Sequence, residues 1–190
     1  QYIGAHVAQS VATDIDLIRM YVADPEQMTE EDGVRGVVVH DGTVFDNVHI
    51  RPRGQSSLSW PKQSFKLDFN SGHHIRFFED GPRQEELNLQ SLYSDKTTMR
   101  RQLGWEIYSW AGVPGSLAKP VRVHLNGTFY SLSTCVEQPD KRMLDRLGLD
   151  ENGALYKMFN SCSSPWVDVE KKTREHENHS DLGQIVQGIQ

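Results

Sequence analysis

The run VHIRPRGQSSLSWPKQSFKLDFN, residues 48–70, constrains the fold more than any other stretch. In its first arm Val48, Ile50 and Pro52 alternate with His49, Arg51 and Arg53. In its second arm Phe65, Leu67 and Phe69 alternate with Ser64, Lys66 and Asp68. Successive side chains of a strand point to opposite faces, so each arm carries one apolar and one polar face. The two arms therefore predict a hairpin with Arg51 or Arg53 and Lys66 on a shared polar face. The turn between them holds Gly54, Ser56 and Ser57, which supply backbone and hydroxyl donors. Cations above a donor-rich turn suit an anion seat. A solvated basic face on an ordinary hairpin fits the same residues, and this stretch alone leaves both readings open.

The rest of the chain extends the strand pattern. Strands are expected at residues 16–22, 34–39, 87–92, 120–125, 129–136 and 155–159, with turns at His40-Asp41-Gly42-Thr43 and Asn126-Gly127. Asp24-Pro25 opens a short helix to residue 29. Residues 79–86 are charged, contain Gly81-Pro82 and read as a surface loop. Asp95 is expected to cap the principal helix, which runs to residue 111 and stops at Gly112, Val113 and Pro114. Asp140 caps a second helix to about residue 147, ended by Gly148, and a third begins at Leu182. Hairpins on either side of one long helix predict an α+β fold, a mostly antiparallel sheet with one principal packed helix.

Stepping about 100° per residue along that helix places Glu106 inside the apolar stripe of Met99, Leu103 and Trp110. A carboxylate turned inward needs a partner. Lys66 on the neighbouring sheet is one candidate; a structural arginine, or an escape to the edge of the stripe, is the other. Arg101 lies off the stripe and is expected to be solvated.

A net charge of −6 argues against a general nucleic-acid-binding surface. No run of about 18 apolar residues is present, so no membrane-spanning helix is expected. The chain begins with Gln1, so a processed or trimmed N-terminus is expected. Its two cysteines, Cys135 in a strand and Cys162 in a loop, are compatible with two thiols or one disulfide. Neither has a second ligand at zinc spacing, and His73-His74 and the run HENH read as solvated loops.

RPRGQSSLSWPKQSFKLDF resembles the RGxSSxxxPKxSFKxxF signature of the CotH kinase-like family of spore-coat protein H. In the same order DKTTMR resembles that family's helix-opening motif, and LNG followed by CVEQPDK its strand–turn–strand. GALYK resembles its later Lys-bearing strand. The chain departs from the family at Ser131, where a glycine is usual, and at Ser133, where an aromatic residue is usual. The resemblance implies an atypical kinase-like N-terminal part, with residues 1–190 forming a single partial domain that ends before the family's catalytic acids. For the complete domain it implies transfer of the γ-phosphoryl of ATP, with Mg or Mn, to protein Ser or Thr, so nucleotide and protein substrate are the implied partners; the present chain, with no catalytic residue of its own, is expected to be inactive. A spore-coat or cell-surface location follows from the same resemblance. Arg53, Lys62 and Lys66 would contact phosphate, Glu106 would orient Lys66, Glu137 would sit at the adenine end, and Lys157 would reach the phosphates or pair with Glu137. Arg100 matches the family's helix arginine. A strand lysine paired to a helix glutamate is also how protein kinases hold nucleotide phosphates. The alternative is a non-catalytic surface adhesin or assembly module.

Overall fold

The computed structural model describes residues 14–159 and 167–189. Cys162 lies outside the described residues. The chain divides into two compact units, Gln1–Gln138 and Pro139–Gln190.

In the first unit seven strands close on themselves. They are β1 (Asp16–Val22), β2 (Val34–His40), β3 (Thr43–Arg53), β4 (Ser64–Asp68), β5 (Glu86–Ser91), β6 (Ala118–Leu125) and β7 (Thr128–Glu137). The order around the barrel is β1-β2-β3-β4-β5-β7-β6. Neighbours are antiparallel except β1 and β6, whose parallel pairing shuts the barrel. Alternation fills the interior. Ile18, Met20, Val38, Val48, Ile50, Phe65, Leu67, Leu87, Leu89, Val121 and Val123 are buried together, while the intervening residues face outward. Closure leaves the seven-stranded sheet without an unpaired edge.

This corrects the expected α+β class. Two of the turns nevertheless form where the sequence puts them. Asp41-Gly42 and Asn126-Gly127 both adopt positive φ, as tight hairpin turns that follow strand twist require. Asn126 does more than turn the chain. Its Oδ1 accepts from Val22 N at 2.9 Å and its Nδ2 donates to Val22 O at 3.0 Å, tying the end of β1 to the β6–β7 turn.

The helix α1 (Arg100–Trp110) has no buried residue. Its apolar stripe of Met99, Leu103, Ile107 and Trp110 faces solvent, with Trp110 82% exposed. Arg101, Gln102, Trp105 and Glu106 form its less exposed side. Met99, Leu103 and Trp110, expected to face the sheet, are exposed, while Glu106, expected among them, lies on the partly covered side. Asp95 also works differently from a simple cap, for the N-cap position is Met99. The Asp95 carboxylate accepts from Thr97 N, Thr97 Oγ1 and Arg100 N, closing the loop and reaching the first helical N–H. The Thr97 hydroxyl is the main cause holding the Asp95 carboxyl below its usual range.

The second unit contains α2 (Lys141–Arg146), the antiparallel pair β8 (Tyr156–Met158) and β9 (Val169–Lys171), and α3 (Ser180–Ile189). Asp140 caps α2 as expected, its Oδ1 accepting from Arg142 N and Met143 N. Lys171, its side chain 3% exposed, donates to Asn178 O at 3.0 Å and faces Glu177 at 3.3 Å and Asp181 at 3.4 Å. The Tyr156 hydroxyl donates to Asp181. In α3, Leu182 is buried while Ile185 is exposed. Among the described residues no helix is long and apolar enough to cross a membrane.

Candidate functional site on the outer face of the β3–β4–β5 ladder

The arms of the opening hairpin become β3 and β4, and their register aligns charges across the barrel wall. His49 pairs with Asp68, Arg51 with Lys66, and Arg53 with Ser64. The next strand continues the rows, with Asp68 opposite Glu86 and Lys66 opposite Asn88. All of these side chains share the outward parity, because Ile50, Leu67 and Leu87 between them fill the interior.

Lys66 is held from two sides. Its Nζ lies 2.7 Å from Glu86 Oε1 and 3.3 Å from Asp68 Oδ1. The expected Lys66–Glu106 pair does not form. Glu106 instead accepts from Gln102 Nε2 at 2.8 Å. The reason lies in the sheet. Glu86 belongs to β5 rather than to the preceding loop, and its strand places it one row from Lys66 on the same face.

Arg53 ends β3 and is partly buried. Among the described residues its guanidinium has no hydrogen-bond or ion-pair partner. Burial pushes this group below its usual value, and the neighbouring charges of Arg51 and Arg101 act in the same direction, partly offset by Glu86. Arg101, expected to be solvated, reaches back from α1 to donate to Ser91 O at 3.4 Å. Burial lowers its pKa as well. Three guanidinium groups thus gather near one end of the ladder, with Lys66 one row further in.

The loop after Arg53 is compact. Gly54 has φ +131, and a side chain there would collide with the Ser57 hydroxyl. The chain then makes a 3-10 turn, Ser56–Ser59. Lys62 Nζ sits 4.7 Å above the centre of the Tyr130 ring. Tyr130 owes its position to a β-bulge. Val123 pairs with Ser131 and His124 with Phe129, leaving Tyr130 as the extra residue of β7. Its hydroxyl accepts from Gln63 N at 2.8 Å, and its ring lies 5.3 Å from Phe65. Arg53, Lys62 and Lys66 therefore occur around one end of β3 and β4.

Glu137 lies elsewhere. It terminates β7 beside Leu87, is buried, and its Oε2 accepts from Leu117 N at 3.0 Å. Its backbone N–H donates to Leu117 O at 2.8 Å. Lys157 belongs to the second unit, on β8, 3.9 Å from Glu170 and above the Phe159 ring. Arg100 is exposed and 3.6 Å from Asp95. Ser131 and Ser133 point into the barrel opposite Val123 and Val121, their hydroxyls 3.0 Å apart.

Glu86, Arg101 and Tyr130 were missed by sequence reasoning. Glu86 could have been found by extending the alternation of Leu87 and Leu89 one residue backward. No local pattern marks a bulge at Tyr130. Asn88 shares the row of Lys66 and is 2% exposed, and among the described residues neither its Oδ1 nor Gln102 Oε1 has a hydrogen-bond partner. A cavity of about 610 Å³ at the other end of the barrel is lined by Asp16, His40, Asp41, Arg76, Glu79 and Lys119, among others. It contains none of the expected site residues, and its Asp16 is already paired with Lys119 at 2.6 Å.

No curated protein matches the chain significantly. A family model described as CotH kinase protein matches residues 50–187, beginning inside β3 and including the whole charged loop and β4. That match covers well over half of the sequence, and the chain belongs to the CotH kinase family.

Proposed function

We propose that the outer face of β3 and β4 grips the phosphates of ATP, as the nucleotide-binding part of a domain that, when complete, transfers the γ-phosphoryl group to Ser or Thr of a protein. The partly buried, unpartnered guanidinium of Arg53 carries this reading. Keeping Arg53 among Arg51 and Arg101 costs energy through desolvation and like-charge repulsion, and a bound polyanion would offset both. The residues therefore fit a triphosphate. Arg53 offers a planar fork for a phosphate oxygen pair. Lys66, oriented by Glu86 rather than Glu106, offers a point charge one row away. Lys62, steadied over Tyr130, closes the loop side. Asp68 and Glu86 keep the lysine extended across the ladder, so it need not be ordered on binding. When bound, the nucleotide supplies the transferable phosphoryl group.

Mg or Mn is a different matter. Among the described residues no three His, Cys, Asp or Glu side chains converge to hold a metal. Glu137 secures the Leu117 crossing rather than forming part of this seat, and Lys157 belongs to the second unit.

Titration calorimetry with ATP tests the reading. Saturable binding is expected, with affinity falling about tenfold or more in Arg53→Gln and in Lys66→Met, as loss of a charge-assisted phosphate contact predicts. Circular dichroism should show both variants folded. Unchanged affinity in both variants, or no binding by the wild type, would overturn the assignment and leave a partner-binding module as the better description.

A further inference from the structure

The outer face of β1, β6 and β7 carries a second group of cations, separate from the β3–β4 ladder. Arg19 on β1 pairs across the parallel seam with His124 of β6, and Leu17 pairs with Arg122. Their parity is opposite to that of the interior residues Ile18, Met20, Val121 and Val123, so both arginines point outward; His124 shares this parity but is 7% exposed, in contact with Arg122 and Phe129. Arg122 is fixed by two contacts. Its Nε donates to His124 Nε2 at 3.0 Å, and its guanidinium lies 4.4 Å above the exposed Phe129 ring. Neither contact occupies the terminal guanidinium nitrogens.

Among the described residues neither Arg19 nor Arg122 has a carboxylate within ion-pair distance. Burial lowers the pKa of His124, and the charges of Arg122 and Arg19 act in the same direction; from β7, Phe129 lies opposite His124 and Leu132 opposite Arg122. Arg19 also borders the cavity containing Asp16, but Asp16 is taken by Lys119. Two neighbouring cations without a counter-charge destabilise a sheet. This happens on a chain whose net charge is −6, where carboxylates are plentiful. Half-buried apolar residues frame the patch, with Val39 opposite Arg19 and Leu132 opposite Arg122.

We propose that this face docks an acidic polypeptide segment, with carboxylates held by Arg122 and Arg19 and an apolar side chain against Phe129 and Leu132. A planar guanidinium prepositioned by stacking loses little freedom when it takes a carboxylate in bidentate fashion. The surrounding apolar surface fits a polypeptide better than a small inorganic anion.

Fluorescence anisotropy of a labelled decaglutamate peptide against the full chain tests the proposal, with inorganic phosphate as competitor. Saturable binding is expected, weakened about tenfold in Arg122→Gln and in Arg19→Gln, as loss of a bidentate charge-assisted contact predicts. Arg35→Gln, on exposed β2, should change affinity by less than about twofold, in the range of ordinary surface charges. Lys66→Met should leave peptide binding intact, which separates this surface from the nucleotide seat. The His124 ring resonances should move along the same saturation curve. Absence of saturable binding, or equal losses in Arg35→Gln, would overturn the docking surface. Phosphate displacing the peptide at equal concentration would identify a simple anion site and overturn the polypeptide assignment.

Discussion

Replacing both members of the Lys66–Glu86 pair, singly and together, measures whether this contact is what holds the lysine. The Nζ–Oε1 distance is 2.7 Å, and the side chains are 16% and 30% exposed. Fully exposed pairs contribute about 0.2–1 kcal/mol. Removing one partner of a fully buried pair costs about 3–5 kcal/mol. This pair lies between, and Asp68 at 3.3 Å remains to share the lysine when Glu86 is lost. A coupling energy of about 1–2 kcal/mol is therefore expected from a Lys66→Met, Glu86→Gln cycle, discounted for partial solvent screening. Urea unfolding followed by tryptophan fluorescence supplies the four stabilities, provided the slope is common to all variants. The same cycle with Lys66→Met and Glu106→Gln should give coupling near zero. A Glu106 coupling as large as that of Glu86 would show the lysine to be held from the helix, and the geometric account would fail.

Three further expectations follow from other contacts. Asn126→Ala removes two hydrogen bonds to Val22 and places a side chain without amide compensation at φ 49; a loss of about 2–3 kcal/mol in urea unfolding is expected, with no loss indicating that the seam does not depend on it. Asp181, held down to about 2 first by the Tyr156 hydroxyl and also by Lys171, is a depressed carboxylate. Its contribution is therefore present above the unfolded value near 3.8 and lost as pH falls toward about 2; the Tyr156 ring resonances should titrate in that window, and an Asp181→Asn variant should abolish the step. Finally, Cys135 is fully buried and its thiol is pushed well above the usual value, so in a Cys162→Ser background a thiol reagent should react only as fast as the barrel opens; immediate labelling would contradict the burial.

Alternation made most of the barrel legible. The period of two alone assigned Val48, Ile50, Phe65 and Leu67 to the buried face, and the two Gly-containing turns fixed where β2–β3 and β6–β7 reverse. Closure was not legible, because hydrophobic period reports which face is buried and not which distant strand pairs with which. The β1–β6 seam joins strands far apart in the chain, and no local signal encodes it. For α1 the stripe was expected to face the sheet with Glu106 inside it, and neither holds. A helix with Arg101, Gln102 and Glu106 on its inner side contradicts the usual rule that the apolar stripe faces the protein. In the candidate site, parity placed Arg53 and Lys66 on one face, as the register shows. The carboxylate partner was assigned to the wrong element, since choosing between Glu86 and Glu106 requires the strand order β3-β4-β5 and the placement of α1.

The parallel pairing of β1 with β6 also sets the order in which this chain can become a protein. Val22 waits for Asn126, a separation of 104 residues. The adjacent hairpins β2–β3, β3–β4 and β6–β7 can form from short-range contacts, but the seam exacts the entropy of a very long loop before any of its bonds are made. On a ribosome, β1 emerges before the other six barrel strands and must remain unpaired on one side until β6 has been synthesised. Its outward edge through that interval is an open template, with Leu17, Ile18 and Met20 available to another strand. Slow synthesis between β1 and β6, or a break in the chain before Leu125, would prolong that exposure. The hazard peculiar to this architecture is therefore misassembly of nascent chains through β1, and it ends when the Asn126 side chain clasps Val22.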